Sequence, residues 1–293
     1  MQKKVFGMEG LAQLEIEGGK DCKTVIKNLI VKPPLLIQKA MYPDANNPST
    51  AHIYIMSSAC GILQGDRLMI DIKASQNSNG YITTQSATKI YKTENQIPFQ
   101  VINILVEKGS YLEFIPKQII PHKSAEFYQK VNIKIDQSST LVYSENISCG
   151  RIAHGEEFDF NSLIFRTNAF NEKNEILFSD AINIEPKKRK TVFENLYGKK
   201  KIFSSIYIVS KVLDNEDLDN EINSLLQSIQ ITGGVSQLPN KAGILIRILS
   251  DSMDEIEKTT FKITNIIKSK KSSIIEVTKQ HDGPNQNTVM RCK

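Results

Sequence analysis

The sequence predicts a mainly β protein, a large β-rich single domain that ends in two α-helices in its C-terminal third. Three observations carry this. Short apolar runs with a period of two fill roughly the first two hundred residues. Gly, Asn, Ser or Pro punctuates them. Near the C-terminus the period changes, and apolar residues recur at helical spacing in two stretches.

The clearest strand is the run in which Val131, Ile133 and Ile135 alternate with Asn132, Lys134 and Asp136. Similar runs cover Ala51–Met56, Leu68–Lys73, Val101–Val106, Tyr111–Ile115, Leu141–Ser144 and Ser162–Arg166. Turn residues separate them, as at Gln76–Gly80 and Lys108–Ser110. Leu218, Ile222, Leu225, Leu226 and Ile229 then form one stripe of a helix. Met253, Ile256, Thr260, Ile263 and Ile267 form the stripe of a second, running from Ser252 to about Lys268. Ser252-Met-Asp-Glu255 fits a capping box at its start. Gly243–Leu249 reads as a strand between the helices. The polar segment 281–293, with Gly283-Pro284, is expected to be a frayed tail, which leaves 1–280 as the folded domain.

Bulk properties agree. A chain of 293 residues suits one large domain. Hydrophobic residues make up 40% and Trp is absent, so Ile, Leu and Val must build the core. The net charge of +5 is far from the field of a dedicated nucleic-acid binder. Basic residues cluster at 187–190, 199–201 and 268–271, with too few aromatics among them for base stacking. These clusters read as solvated surface, with an acidic protein partner as the next reading. No apolar signal segment follows Met1, and no stretch reaches the ~18 apolar residues of a bilayer span. Cys22, Cys60, Cys149 and Cys292 are scattered without a CxxC pair. The expectation is a cytoplasmic protein with reduced thiols, bound to neither nucleic acid nor membrane.

The familiar catalytic signatures are missing: no P-loop, GxGxxG, HExxH or GxSxG occurs. His52, His122, His154 and His281 are isolated. Cys149 with His154, or Cys60 with His52, would need an orienting third group that the sequence does not supply. Two glycine-rich, acidic segments remain. One is Cys60-Gly-Ile-Leu-Gln-Gly-Asp66-Arg67-Leu68, and the other spans Ser144 to Phe158 with Glu145, Cys149-Gly150-Arg151 and Glu156. Physics alone reads them as turns, with Gly65 at positive φ and Asp66 bonding its own backbone.

Taken together, several segments resemble the UreD/UreH urease accessory family in order and spacing. They are Lys32-Pro-Pro-Leu-Leu-Ile-Gln38 with Met41-Tyr-Pro43, then Ser57 to Leu68, then Thr83 to Tyr91. Leu112-Glu113-Phe114-Ile115-Pro116 follows, with Gln129 after it. Glu145, Gly150-Arg151 and Gly155-Glu-Glu-Phe158 form the next block, and Gly233 to Pro239 with Ile246 to Leu249 the last. Cys60 stands where the family has glycine, Phe114 where Trp is common, and the tail departs from the family's basic ending.

The resemblance implies a β-helix-like stacking of strands with two helices. It also implies a non-enzymatic scaffold for urease maturation with no tightly bound cofactor and nickel in transit. Its implied partners are a UreF homologue in a 2:2 hetero-oligomer, through it the GTPase UreG homologue, and apo-urease. Weak oxygen ligands along a wet channel suit a cation that must be released again. Asp66, Glu113, Glu145 and Glu156 fall in the family-like blocks, and at least two are expected to line one internal passage. Capping of turns and pairing with Arg67 or Arg151 is the competing role. Two other readings stay open: a metal-dependent hydrolase using Asp66, Glu145, Glu156 and a histidine, and a β-rich interaction module unrelated to urease.

Overall fold

The computed structural model describes residues 7–19, 23–45, 47–188, 197–198 and 200–281. Cys22, Cys292, parts of the first two basic clusters and the polar tail beyond His281 lie outside the described residues. Among the described residues, no helix is long and apolar enough to cross a membrane.

In chain order the strands are β1 (Glu9–Gly18), β2 (Thr24–Lys32), β3 (Leu35–Ile37), β4 (Ala51–Ser57), β5 (Arg67–Ala74) and β6 (Asn79–Thr84). Then come β7 (Thr88–Ile90), β8 (Phe99–Val106), β9 (Tyr111–Phe114), β10 (Ile119–Pro121), β11 (Glu126–Ile135) and β12 (Thr140–Ser148). The last third holds β13 (Ser162–Asn171), β14 (Ile176–Ile184), β15 (Ile202–Ser210), helix α1 (Asn215–Ser228), β16 (Thr232–Gln237), β17 (Gly243–Ser250) and helix α2 (Met253–His281). The predicted strands are all present, several of them longer than their alternating segments.

The chain alternates between two sheets, β4 in one and β5 in the other, then β6 and β8, β9 and β11, β12 and β13. Each strand lies parallel to its counterpart one coil earlier, residue against residue. This is the β-helix-like stacking that the sequence resemblance implies. A short third face completes the coils: β10 pairs with β7 and β12, and Ile62 bridges to Ile90. The first sheet ends in antiparallel neighbours, β2 beside β1 and β14 beside β13. The second continues through β15, β17 and β16, also antiparallel.

Identical register stacks like side chains into columns. Inside, Leu14, Ile72, Ile104, Ile133 and Ala169 form one buried column across the first sheet. On the second sheet Phe114, Tyr143 and Tyr207 stack at 5.8 Å steps, and Phe178 continues the series at 5.9 Å. On the outer face of the first sheet, Gln13 and Asn103 donate to Asp71, and Asn132 donates to Asn103. Such amide ladders satisfy each polar group through the coil above or below.

A second core lies outside the lumen. β12, β15 and β17 turn Val142, Ile206, Ile208, Ile244, Ile246 and Ile248 towards Leu218, Ile222 and Leu226 of α1 and Ile256, Ile263 and Ile267 of α2. The helices thus cover the outer face of the second sheet. Asp214 caps α1 by accepting from the Glu216 and Asp217 amides. Two details differ from the sequence expectation. Helix α2 continues past Lys268 to His281, and its turn after Ile267 is fixed by Lys268 pairing with Glu113 and Lys270 with Asp217 and Glu221. The Glu255 carboxylate does not close a capping box with Ser252: it accepts from the Ser250 hydroxyl, whose oxygen in turn accepts from the Ser252 amide.

Replacing Ile263 by Ala should cost about 3 kcal/mol, as for buried Ile or Leu truncations, whereas Asn103→Ala on the half-buried ladder should cost about 1 kcal/mol. Urea denaturation of both variants checks the ranking. Equal losses would contradict the packing of α2 described above.

Candidate functional site

A cavity of about 400 Å3 occupies the lumen of the β-helix. Its rim includes the exposed residues Ser57 at the end of β4, Cys60 and Ser86 in the turns after β4 and β6, and Lys89 of β7. Its deep end is closed by Gln129, Tyr143 and Glu145, all buried. Most of the lining between them is apolar, with Ile55, Ile62, Leu68, Ile70 and Phe114 contributing.

Glu145 is the chemically distinctive group. It sits on β12, only 2% exposed, with its side chain reaching inward to β11 and β13. Its Oε1 accepts from the Tyr143 hydroxyl at 3.0 Å and from Thr167 Oγ1 at 3.0 Å, with the Gln129 amide at 3.5 Å. Gln129 also donates to the Tyr143 oxygen and accepts from Gln100, so a polar chain links β8, β11 and β12 across the lumen. The second carboxylate oxygen, Oε2, is buried without a hydrogen-bond partner among the described residues. Burial raises the Glu145 pKa to about 7, against the lowering by its hydrogen bonds from Tyr143 and Thr167. Glu145 lines the cavity, and its burial leaves the carboxyl group readier to hold a proton than an exposed carboxylate.

The other three carboxylates lie elsewhere. Asp66, 3% exposed, accepts from the Met8 amide at 2.8 Å and the Leu63 amide at 2.8 Å. It ties the segment before β1 to the turn that enters β5, where Gly65 takes a φ of 81° as expected. Glu113 accepts from Tyr111 at 2.6 Å and pairs with Lys268 at 2.7 Å. Register places Glu113 beside Val142 and Phe114 beside Tyr143, so Glu113 faces α2 while Glu145, two residues on from Tyr143, faces the lumen. Glu156 is held by Arg151 through both carboxylate oxygens, the Nε contact being 2.8 Å, and accepts from the Lys123 amide at 3.1 Å. Arg151 holds its pKa down to about 2. Of the four, Glu145 alone lines the cavity. Turn capping and arginine pairing describe Asp66 and Glu156.

The hydrolase constellation is not assembled. Among the described residues no three His, Cys, Asp or Glu side chains gather as a metal-ligand group. Cys149 is buried and its thiol is pushed up to about 11, which suppresses the nucleophilic thiolate. Cys60 is accommodated because it does not need a positive φ; the tight position is Gly61, where a Cβ would meet the Lys89 carbonyl at 2.6 Å.

Reasoning from the sequence missed Gln100, Tyr143 and Thr167. A usable signal existed for the first: Gln100 stands at an inward position of a strand whose other inward residues are Ile102, Ile104 and Val106. Gln129 interrupts Phe127, Val131, Ile133 and Ile135 in the same way. A polar side chain in an inward column calls for a partner across the lumen.

Comparison with known proteins agrees with this architecture's sequence motifs. The model of the UreD urease accessory protein family matches residues 8–275. A urease accessory protein UreD of Cenarchaeum symbiosum is 32% identical over 237 residues, 80% of this chain and 83% of that relative. The UreD of Photorhabdus laumondii is 31% identical over 238 residues, 80% of this chain and 74% of the relative. A UreD 2 of Brucella canis is 32% identical over 247 residues, covering 83% and 82%. With the family's model matched along most of its length and such relatives over four-fifths of it, the chain belongs to the UreD family of urease accessory proteins.

Proposed function

We propose that the protein is a non-catalytic scaffold of urease maturation in the cytoplasm, and that nickel passes through the lumen of its β-helix. On this reading it binds a UreF homologue in a 2:2 assembly, recruits the GTPase UreG homologue through it, and docks on apo-urease. Nickel is the cargo and leaves with the urease. The observation that carries the reading is Glu145, 2% exposed, which lines a cavity with an exposed rim and has a carboxylate oxygen without a hydrogen-bond partner among the described residues. Family membership supports the accessory role.

The chemistry suits transit more than storage. A single carboxylate flanked by the Tyr143 and Thr167 hydroxyls is a hard, weak ligand set, and a cation there keeps water in its remaining positions. No three ligating side chains converge among the described residues to trap it. The passage as proposed needs only Glu145 of the four carboxylates, with Asp66, Glu113 and Glu156 maintaining the walls and the helix cover.

The same group fixes a pH dependence. The folded-state pKa of about 7 lies above the ordinary 4.5, so the folded protein binds this proton more tightly than the unfolded chain. The contribution is therefore fully present below pH ~4.5 and is lost as pH rises to about 7. Glu145→Gln keeps the shape and removes the titration. Relative to this variant, the wild type should lose up to about 3 kcal/mol between those limits, measured by denaturation at several pH values. Parallel curves for the two proteins would show that Glu145 is not held protonated by burial.

The functional test uses the same variant. Glu145→Gln should co-elute with the UreF homologue in size-exclusion chromatography yet lower urease activation roughly tenfold, as expected when one of few ligands is lost. Asp66→Ala should instead lose about 2 kcal/mol of stability, by orphaning two backbone amides, with activation per folded complex retained. Normal activation by Glu145→Gln would remove the carboxylate from the nickel route.

A further inference from the structure

Among the described residues, no helix covers the outer face of the first sheet as α1 and α2 cover that of the second, and its three central rows of side chains differ in how they are satisfied. The middle row runs Gln13, Asp71, Asn103, Asn132, Asn168 and Ser179, and hydrogen bonds join the first four and the last two. On one side of it, Lys73 pairs with Glu15 at 3.1 Å and Glu107 at 3.2 Å, and Lys134 donates to Asn174. These two rows need nothing from outside.

The row on the other side is different. It sets Met69, Val101, Lys130 and Arg166 side by side in register across β5, β8, β11 and β13. Lys130 and Arg166 are direct neighbours, about 4.8 Å apart at the backbone, the spacing of paired strands. Neither side chain has an ion-pair or hydrogen-bonding partner among the described residues. Like charges in adjacent register positions repel, and the usual remedy is a counter-charge between them. Beside them Phe99 stacks on Tyr128 at 5.0 Å, and Met69 is 41% exposed. Aromatic, Met and Arg side chains grouped with apolar neighbours have the composition of a protein interface core.

We propose that this row is a docking surface for an acidic protein surface, one carboxylate of which sits between Lys130 and Arg166 while its apolar neighbours cover Met69, Val101 and the Phe99–Tyr128 pair. Charge complementarity selects the occupant. A nucleic acid would need a track of free cations along its phosphates. Here only Lys130 and Arg166 of the cations beside the Asp71 row lack a partner among the described residues, Lys73 being paired with Glu15 and Glu107 and Lys134 bonded to Asn174. The flat, half-apolar surroundings favour a partner that excludes water. The site is on the opposite outer face from α1 and α2 and is separate from the lumen.

The proposal rests on the scaffold reading for its choice of probes, the purified UreF homologue and apo-urease. Full-length protein carrying Lys130→Glu and Arg166→Glu together is compared with wild type by titration against each. Wild type should bind at least one with an affinity that falls steeply as salt rises. The double variant should bind that partner roughly tenfold more weakly at low salt and lose the salt dependence. The milder pair Lys130→Ala and Arg166→Ala should show the same direction if the charge reversal unfolds the sheet. Unchanged affinity of both variants for both partners overturns the proposal and leaves the scaffold reading intact. Wild type that binds neither partner overturns the scaffold reading and the proposal with it. Two other results overturn it in favour of a different occupant: wild-type self-association that the variants abolish, or a single-stranded RNA oligonucleotide as the only ligand whose binding they lose.

Discussion

The parallel register between successive coils is the constraint on which the structure depends. Because β5, β8, β11 and β13 align without offset, every side chain has a fixed neighbour in the coil before and the coil after. An inward column must be apolar or internally hydrogen-bonded wherever it packs against the opposite sheet, since an unpaired polar group buried there is costly. The column Leu68, Gln100, Gln129 and Phe165 meets the condition by pairing its two amides and handing the last donor to Tyr143 and Glu145. The lumenal cavity is a consequence of the same register, with polar side chains at its deep end where the neighbouring columns hold large apolar ones.

How much of this the sequence displays depends on what covers each strand. β5, β8 and β11 have one face towards the lumen and one outward, so they alternate and were readable. β12 and β15 lie between the lumen and the helices, and every residue of both is buried. They lose the period-two signal for that reason: β12 is recognisable only over Leu141–Ser144, and Ile202–Ser210 gives no alternation at all. Helix α2 shows the complementary limit. The last buried residue of its stripe among the described side chains is Ile267, and the next turn is held by Lys268 on Glu113, Lys270 on Asp217 and Glu221, and Lys271 over the Tyr111 ring at 5.0 Å. Ionic and cation–π contacts leave no periodic trace.

The candidate carboxylates divide along the same line. Glu156 finds Arg151 five positions away, and Asp66 finds the amide of Leu63 three positions away, so both roles are local and both could be anticipated. Glu113 meets its lysine only because α2 returns across the second sheet. Glu145 meets Thr167 and Gln129 only because the coils stack. A motif block can mark these positions as unusual, but which face each one takes is decided by register with Val142 and Tyr143.

Burying Glu145 is unfavourable for the fold by itself. Its Oε2 has no partner among the described residues, and a half-satisfied polar network is less stable than an apolar one of the same shape. Local costs of this kind concentrate where a protein acts on something other than itself. The raised pKa makes the cost useful on the proposed reading. A carboxylate of ordinary pKa would stay charged in the lumen and hold a dication against release, while one raised far above neutrality would stay protonated and refuse it. On that reading, with its pKa raised to about 7, Glu145 would give up its proton to the arriving cation and take one back when the cation moves on. The apolar lining sets that balance by desolvation, and the Tyr143 and Thr167 hydroxyls keep it from shifting further. The walls of the passage and the chemistry of its one carboxylate are therefore a single arrangement, fixed by the stacking of the coils.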